Sequence, residues 1–135
     1  ASTKETFFKT ADIITLHLRL NENTFRIIKE SDLMLMSKNA VIINTARAEL
    51  LEKGALLKSL KNGSPSYAGI DVYEEEPIMD TNFELLKMKT VVCTPHLGYV
   101  ERNGYELYFE KAFENVLNFI NGNPTNIANP EVLQA

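Results

Sequence analysis

Four apolar runs of strand length, Asp12–Leu18, Ala40–Asn44, Tyr67–Tyr73 and Thr90–Thr94, recur along the chain with helix-period stretches between them. Strand runs that alternate with helical stretches are what βαβ units produce, and such units build a parallel sheet. The runs lack a polar face, as expected of strands covered on both sides. The class is therefore α/β, with about four parallel strands and flanking helices. The first run is too apolar to face water on either side and is expected to be central.

The intervening stretches predict helices over Ser2–Lys9, Glu30–Met36 (with an earlier turn at Thr24–Ile28) and Glu49–Lys61, where Leu50, Leu51, Ala55, Leu56 and Leu60 recur at helical spacing. Asn62-Gly63 closes the last of these as a C-cap. A long helix is predicted from Glu101 to Asn121. Tyr105, Phe109, Ala112, Phe113, Val116, Leu117 and Ile120 form its apolar face, expected to be buried, and Gly122-Asn123-Pro124 ends it. The tail over 123–135 is expected to be an irregular strap, and the segment around Pro77 an acidic loop.

A chain of 135 residues with 44% hydrophobic side chains fits one domain with one core. The net charge of -4 spreads basic residues among acids, so no nucleic-acid footprint exists. No apolar run approaches the roughly 20 residues that span a bilayer, and the first residues have neither a basic nor an apolar signal region. A cytoplasmic protein without a membrane partner is expected. Cys93, the single cysteine, cannot form an internal disulfide and reads as a small hydrophobe.

Open parallel sheets bind ligands beyond the carboxyl ends of their strands. The polar residues found there are His17 after the first run, Thr45-Ala46-Arg47 after the second, Asp71 and Glu76 at the third, and His96 after the fourth. Singly, each is more often an ion pair or a solvated loop residue; together they form a set suited to one anionic substrate and one proton. An arginine grips a carboxylate with two parallel hydrogen bonds. A histidine exchanges a proton near neutrality, and a neighbouring glutamate orients its ring and stabilises the imidazolium. No metal site is expected.

Four segments, ADIITLHLRL, NTARAELLEKGALLKSL, AGIDVYEEEP and CTPHLGY, together resemble the D-2-hydroxyacid dehydrogenases, in particular their phosphoglycerate dehydrogenase-like members. The resemblance covers about residues 5–122. It implies half of a doubly wound, Rossmann-type sheet: 1–122 as the carboxyl-terminal half of an NAD-binding domain, and 123–135 returning to a substrate domain. It also implies catalytic roles. Arg47 would bind the substrate carboxylate and polarise its carbonyl, and His96, paired with Glu76, would exchange the proton. Asp71 would contact the nicotinamide carboxamide, and His17, Thr45, Ala46, Arg47, His96 and Gly98 would line the cofactor.

The implied reaction is hydride transfer between NAD and a 2-hydroxy or 2-oxo acid, in a homodimer. NADP stays open, because the acidic ribose contact lies outside this sequence. Three positions depart from the family's usual pattern: Arg19 stands for proline, Ala48 for glycine and Tyr99 for a small residue. Ala48 would be strained if the position required positive φ. The glycines at 54, 63, 69, 98, 104 and 122 form no G-x-G-x-x-G pyrophosphate loop. The first residues read as the end of a linker helix, with the first mononucleotide half and most of the substrate domain outside the sequence. The isolated chain is therefore expected to bind NAD weakly and turn over little substrate. The alternatives are a non-catalytic NAD-sensing or corepressor-like scaffold of the same fold, and an assembly unit that self-associates through an open sheet edge.

Overall fold

The computed structural model describes residues 1 and 3–134. Residues 1–98 form one compact unit and the residues from 99 on a second.

The first unit opens with helix α1, Lys4–Thr10, whose N-cap Thr3 accepts a hydrogen bond from the Thr6 amide. Ser2, included in the expected helix, lies outside the described residues. Strand β1 (Ile13–Leu16), helix α2 (Glu30–Leu33), strand β2 (Val41–Asn44), helix α3 (Ala55–Asn62), strand β3 (Tyr67–Ile70), helix α4 (Glu84–Lys87) and strand β4 (Val91–Cys93) follow. The strands pair in the order β1-β2-β3-β4, all parallel. The α/β class with four parallel strands is thus what the alternation predicts, and the half-Rossmann form is what the resemblance implies. Phe8, Ile14, Leu16, Leu33, Ile42, Leu50, Leu60 and Ile70 are among the side chains that make the core.

Strand β1 is not central among the described residues. It pairs on one side only, and its outward residues alternate with buried ones, so that Ile13 is 64% exposed while Ile14 is 2% exposed. An apolar run shows that a strand can be covered on both faces. It does not supply the neighbour.

The helix expected over Glu49–Lys61 is broken. A single 3-10 turn covers Ala48–Leu50, and α3 begins only after Gly54 at φ +73. Between them the backbone pairs with an extended segment: the Arg26 amide donates to Glu49, Ile28 to Leu50 and Glu52 to Ile28. Those bonds take the groups a continuous helix would use internally. At its other end α3 stops as expected, with Gly63 at φ +77 as C-cap. Helix α2 stops at Leu33, three residues short of the expected end, and α4 was not predicted.

The second unit holds helix α5, Arg102–Ile120, with Glu101 as N-cap accepting from the Gly104 amide. Its Tyr105 and Phe109 rings meet tilted, and Phe109 and Phe113 stack, each pair at i,i+4 spacing. The expected burial of its apolar face does not occur: no residue of α5 is buried, and Phe113 and Ile120 are 64% and 72% exposed. Beyond Gly122 the tail folds back on the helix. Asn126 donates to the Asn115 side chain at 2.9 Å and Asn118 to Thr125 at 3.0 Å, and Pro130–Gln134 closes as a 3-10 turn.

Candidate active site at the carboxyl edge of the sheet

Parallel register sets up the site. Leu16 pairs with Asn44, Asn44 with Ile70 and Ile70 with Cys93. The first residue beyond each strand therefore falls in one row: His17, Thr45, Asp71 and Thr94. With neighbouring strands about 4.8 Å apart, four chain segments deliver polar groups to one edge.

Each segment then turns in its own way. After β2, the buried Asn44 side chain holds the loop: its Nδ2 donates to the Arg47 carbonyl at 2.9 Å, and its Oδ1 accepts from the Ala46 amide at 3.1 Å. Arg47 is consequently presented outward, exposed, with one guanidinium nitrogen donating to the Ala46 carbonyl at 2.6 Å. Ala48 follows in the 3-10 turn and is not among the positive-φ residues, so the alanine found where glycine is usual carries no strain.

After β3, Asp71 is 3% exposed. Its Oδ1 accepts from Thr94 Oγ1 at 2.5 Å and from the Leu97 amide at 2.7 Å, and its Oδ2 accepts from the Gly98 amide at 2.7 Å. Burial pushes this carboxyl up, but the bonds from Thr94, Leu97 and Gly98, with the His96 charge, outweigh it and hold it below the usual carboxylate range. Tyr73 sends its hydroxyl to the Thr94 carbonyl at 2.8 Å, tying the ends of β3 and β4 together. Burial pushes the Tyr73 phenol up, so it stays a neutral donor.

Glu76 and His96 meet. Glu76 Oε2 lies 2.7 Å from His96 Nδ1, while its Oε1 accepts from the Tyr73 amide at 2.9 Å. The His96 hydrogen bond holds the Glu76 carboxyl below its usual range; the Tyr73 amide and the Arg47 charge act in the same direction, against a smaller effect of burial. His96 sits at φ +57, a left-handed conformation that costs an L-residue about 1–3 kcal/mol and persists only where the surroundings over-determine it. Gly98 is required by contact: a Cβ there would come within 3.0 Å of Asp71 Oδ2 and 3.7 Å of Thr45.

The structure therefore brings Arg47, Glu76 and His96 into one electrostatic group and lines Thr45, Asp71 and Gly98 beside it. His17 stands in the row by register, exposed, and its Nε2 lies 2.9 Å from Thr15 Oγ1. Three contributors were not singled out by sequence reasoning: Asn44, Tyr73 and Thr94. Asn44 and Thr94 lie inside the recognised N-T-A-R and C-T-P-H segments, but only three-dimensional pairing shows what their side chains do. Among the described residues no group of three or more His, Cys, Asp or Glu could hold a metal ion, and no helix is long and apolar enough to cross a membrane.

Residues 1–98 match the family model of the D-isomer specific 2-hydroxyacid dehydrogenase NAD binding domain. The chain belongs to that family. A glyoxylate reductase of Thermococcus litoralis is 42% identical over 130 residues, which is 96% of this chain and 39% of that protein. The crystal structure of a D-3-phosphoglycerate dehydrogenase-type oxidoreductase of Ralstonia solanacearum matches with a TM-score of 0.91 at 45% identity, covering 96% of this chain and 38% of the other. The NAD-complexed D-isomer specific 2-hydroxyacid dehydrogenase of Lactobacillus delbrueckii ssp. bulgaricus matches with a TM-score of 0.71 at 30% identity, covering 90% and 41%. The chain thus spans about two fifths of the length of such relatives.

The fit to the family's cofactor is divided. An exposed Thr45 and His17, a side-chain-free Gly98 and the Glu76–His96 pair suit the nicotinamide end. Two helix N-termini do not suit the pyrophosphate: a Glu74 oxygen accepts from the amide of Gly54, the N-cap of α3, and Glu101 accepts from the Gly104 amide in the first turn of α5. A carboxylate already occupies the place a phosphate would take.

Proposed function

We propose that this chain is the carboxyl-terminal part of the NAD-binding domain of an NAD-dependent D-2-hydroxyacid dehydrogenase, and that Arg47, Glu76 and His96 carry its catalysis. The observation that supports this most is the 2.7 Å His96–Glu76 pair beside an exposed Arg47 at the carboxyl edge of a parallel sheet. Residues 1–122 supply the sheet, the site and α5, and the strap over 123–135 runs toward a substrate domain.

Bound NAD or NADP would supply the hydride donor or acceptor. Arg47 holds the substrate carboxylate through paired N–H donors and draws electron density from the adjacent carbonyl. His96 gives its proton to the carbonyl oxygen during reduction and takes it back during oxidation. With Nδ1 turned to Glu76, the exchange occurs at Nε2. Glu76, ionised because its hydrogen bonds favour the charged form, stabilises the imidazolium formed in oxidation. Thr45, Ala46, Asp71, Gly98 and His17 border the nicotinamide. The substrate is a small 2-oxo or 2-hydroxy acid of the glyoxylate or glycerate type, and the enzyme works as a cytoplasmic homodimer.

The test is reduction of glyoxylate and hydroxypyruvate by the full-length protein, followed as NADH loss. Replacing His96 with alanine should lower kcat by about 10²- to 10⁴-fold, the usual worth of a positioned proton donor. Equal rates for parent and variant would remove the assignment. The isolated chain should show no measurable turnover and only weak NAD binding; micromolar affinity by calorimetry would refute that part.

A further inference from the structure

The turn that carries His96 poses a mechanical question. Between Cys93 at the end of β4 and Gly98 the chain turns with His96 left-handed, and the His96 ring pairs with Glu76 in an exposed acidic loop. The bonds that fix the turn bracket the histidine. Ahead of it, the Thr94 amide donates to the Ile70 carbonyl at 2.9 Å and the Thr94 hydroxyl to Asp71 Oδ1. Behind it, the Leu97 and Gly98 amides donate to the two oxygens of the same carboxylate.

Asp71 therefore straddles His96, gripping residues 94, 97 and 98 from a position fixed by β3. Its own amide continues the ladder, donating to Asn44 at 3.0 Å. With 3% exposure and three donors, the carboxylate is firmly held at the turn. We infer that Asp71 and Thr94 are positioning residues: their clamp sets the height and direction of the His96 ring over the sheet edge. Thr94 is the part of the clamp that sequence reasoning gave no role, and its hydroxyl is the only side-chain donor to Asp71 among these bonds. This inference rests on the reading of His96 as the proton-exchanging group.

Misplacing a reacting group by about an ångström costs on the order of 100-fold in rate. Thr94→Val keeps the shape and removes the hydroxyl, and Thr94→Ala removes it without any risk of crowding. In the full-length enzyme either should lower kcat about 10- to 100-fold, with KM for the 2-oxo acid within about twofold because Arg47 is untouched. The pH profile of kcat should shift, since it reports the displaced histidine. Thr94→Ser, which restores the donor, should return kcat to within about threefold of the parent.

Parent-like kcat and pH profile in both Thr94→Val and Thr94→Ala, even with a lowered Tm, would overturn the positioning role and leave Asp71 and Thr94 as structural bonds. Equal impairment in Thr94→Ser and Thr94→Val would overturn it too. His96→Ala, run alongside, separates the two layers. If His96→Ala is inactive and the Thr94 variants are normal, only the clamp fails; if His96→Ala is as fast as the parent, the acid–base reading fails and the clamp with it.

Discussion

In the first 98 residues, Leu33, Ala40, Ile42 and Leu50 are completely shielded by helices laid on a parallel sheet. In the second unit, α5 carries Phe109, Phe113, Val116, Leu117 and Ile120 along one side, and every one of them is more than half exposed. Both stretches have apolar residues at the right period. The difference is that a sheet folded from four local βα steps brings its own cover, whereas a single helix with a thirteen-residue strap cannot wrap itself. Periodicity names the face that seeks burial and is silent about the partner.

The two regions should therefore answer the same kind of substitution differently. The largest effect belongs to the first. Ile42→Ala, at a fully enclosed position on β2, should destabilise the chain by about 2–5 kcal/mol through lost transfer energy and the cavity left behind. Urea unfolding followed by circular dichroism would measure it, and a loss below about 1 kcal/mol would mean the core is looser than its geometry.

Acid comes next. Asp71 and Glu76 both lie below the usual carboxylate range in the folded state. Groups with depressed pKa values stabilise the fold above their unfolded pKa and lose that contribution as pH falls through the folded one. Stability of residues 1–98 should thus fall as pH drops through and below the ordinary carboxylate range, and Asp71→Asn should flatten that acid limb. An acid limb unchanged by Asp71→Asn would show that the carboxylate does not hold the turn.

Smaller still is Ser59→Ala. Ser59 is wholly buried in α3 with a hydroxyl that has no partner among the described residues. Removing an orphaned buried hydroxyl should stabilise the chain by about 1 kcal/mol, and a raised Tm would register it. The least should come from α5. Phe113→Ala in this 135-residue chain should change stability by less than about 0.5 kcal/mol, the usual range for exposed positions. A loss of 3–5 kcal/mol, the cost at a buried phenylalanine, would mean that the apolar face is covered after all, by another copy or by its own chain.

What could be read beforehand divides along the same line. The class, the four strands, the Gly63 cap and the strand-end set His17, Thr45, Arg47, Asp71, Glu76 and His96 follow from local period and from where parallel strands place their ends. Three things did not follow. The break between Ala48–Leu50 and α3 depends on pairing with residues 26–28, twenty positions away. The edge position of β1 depends on a neighbour rather than on its own composition. The clamp of Asp71 on Thr94, Leu97 and Gly98 depends on β3 and β4 lying side by side, and twenty-three or more residues separate its halves. Spacing within a motif says which residues travel together, and tertiary register decides which of them touch.

One consequence of the His96 backbone bears on how its chemistry should be dissected. Alanine at that position subtracts the imidazole but also leaves an unhelpful residue in the left-handed basin, so its phenotype mixes two losses. Asparagine and glycine tolerate that basin far better. Comparing His96→Asn with His96→Ala would give two fractions of one rate deficit: the share the two variants have in common reports the missing proton donor, and the surplus in alanine reports the shape of the chain.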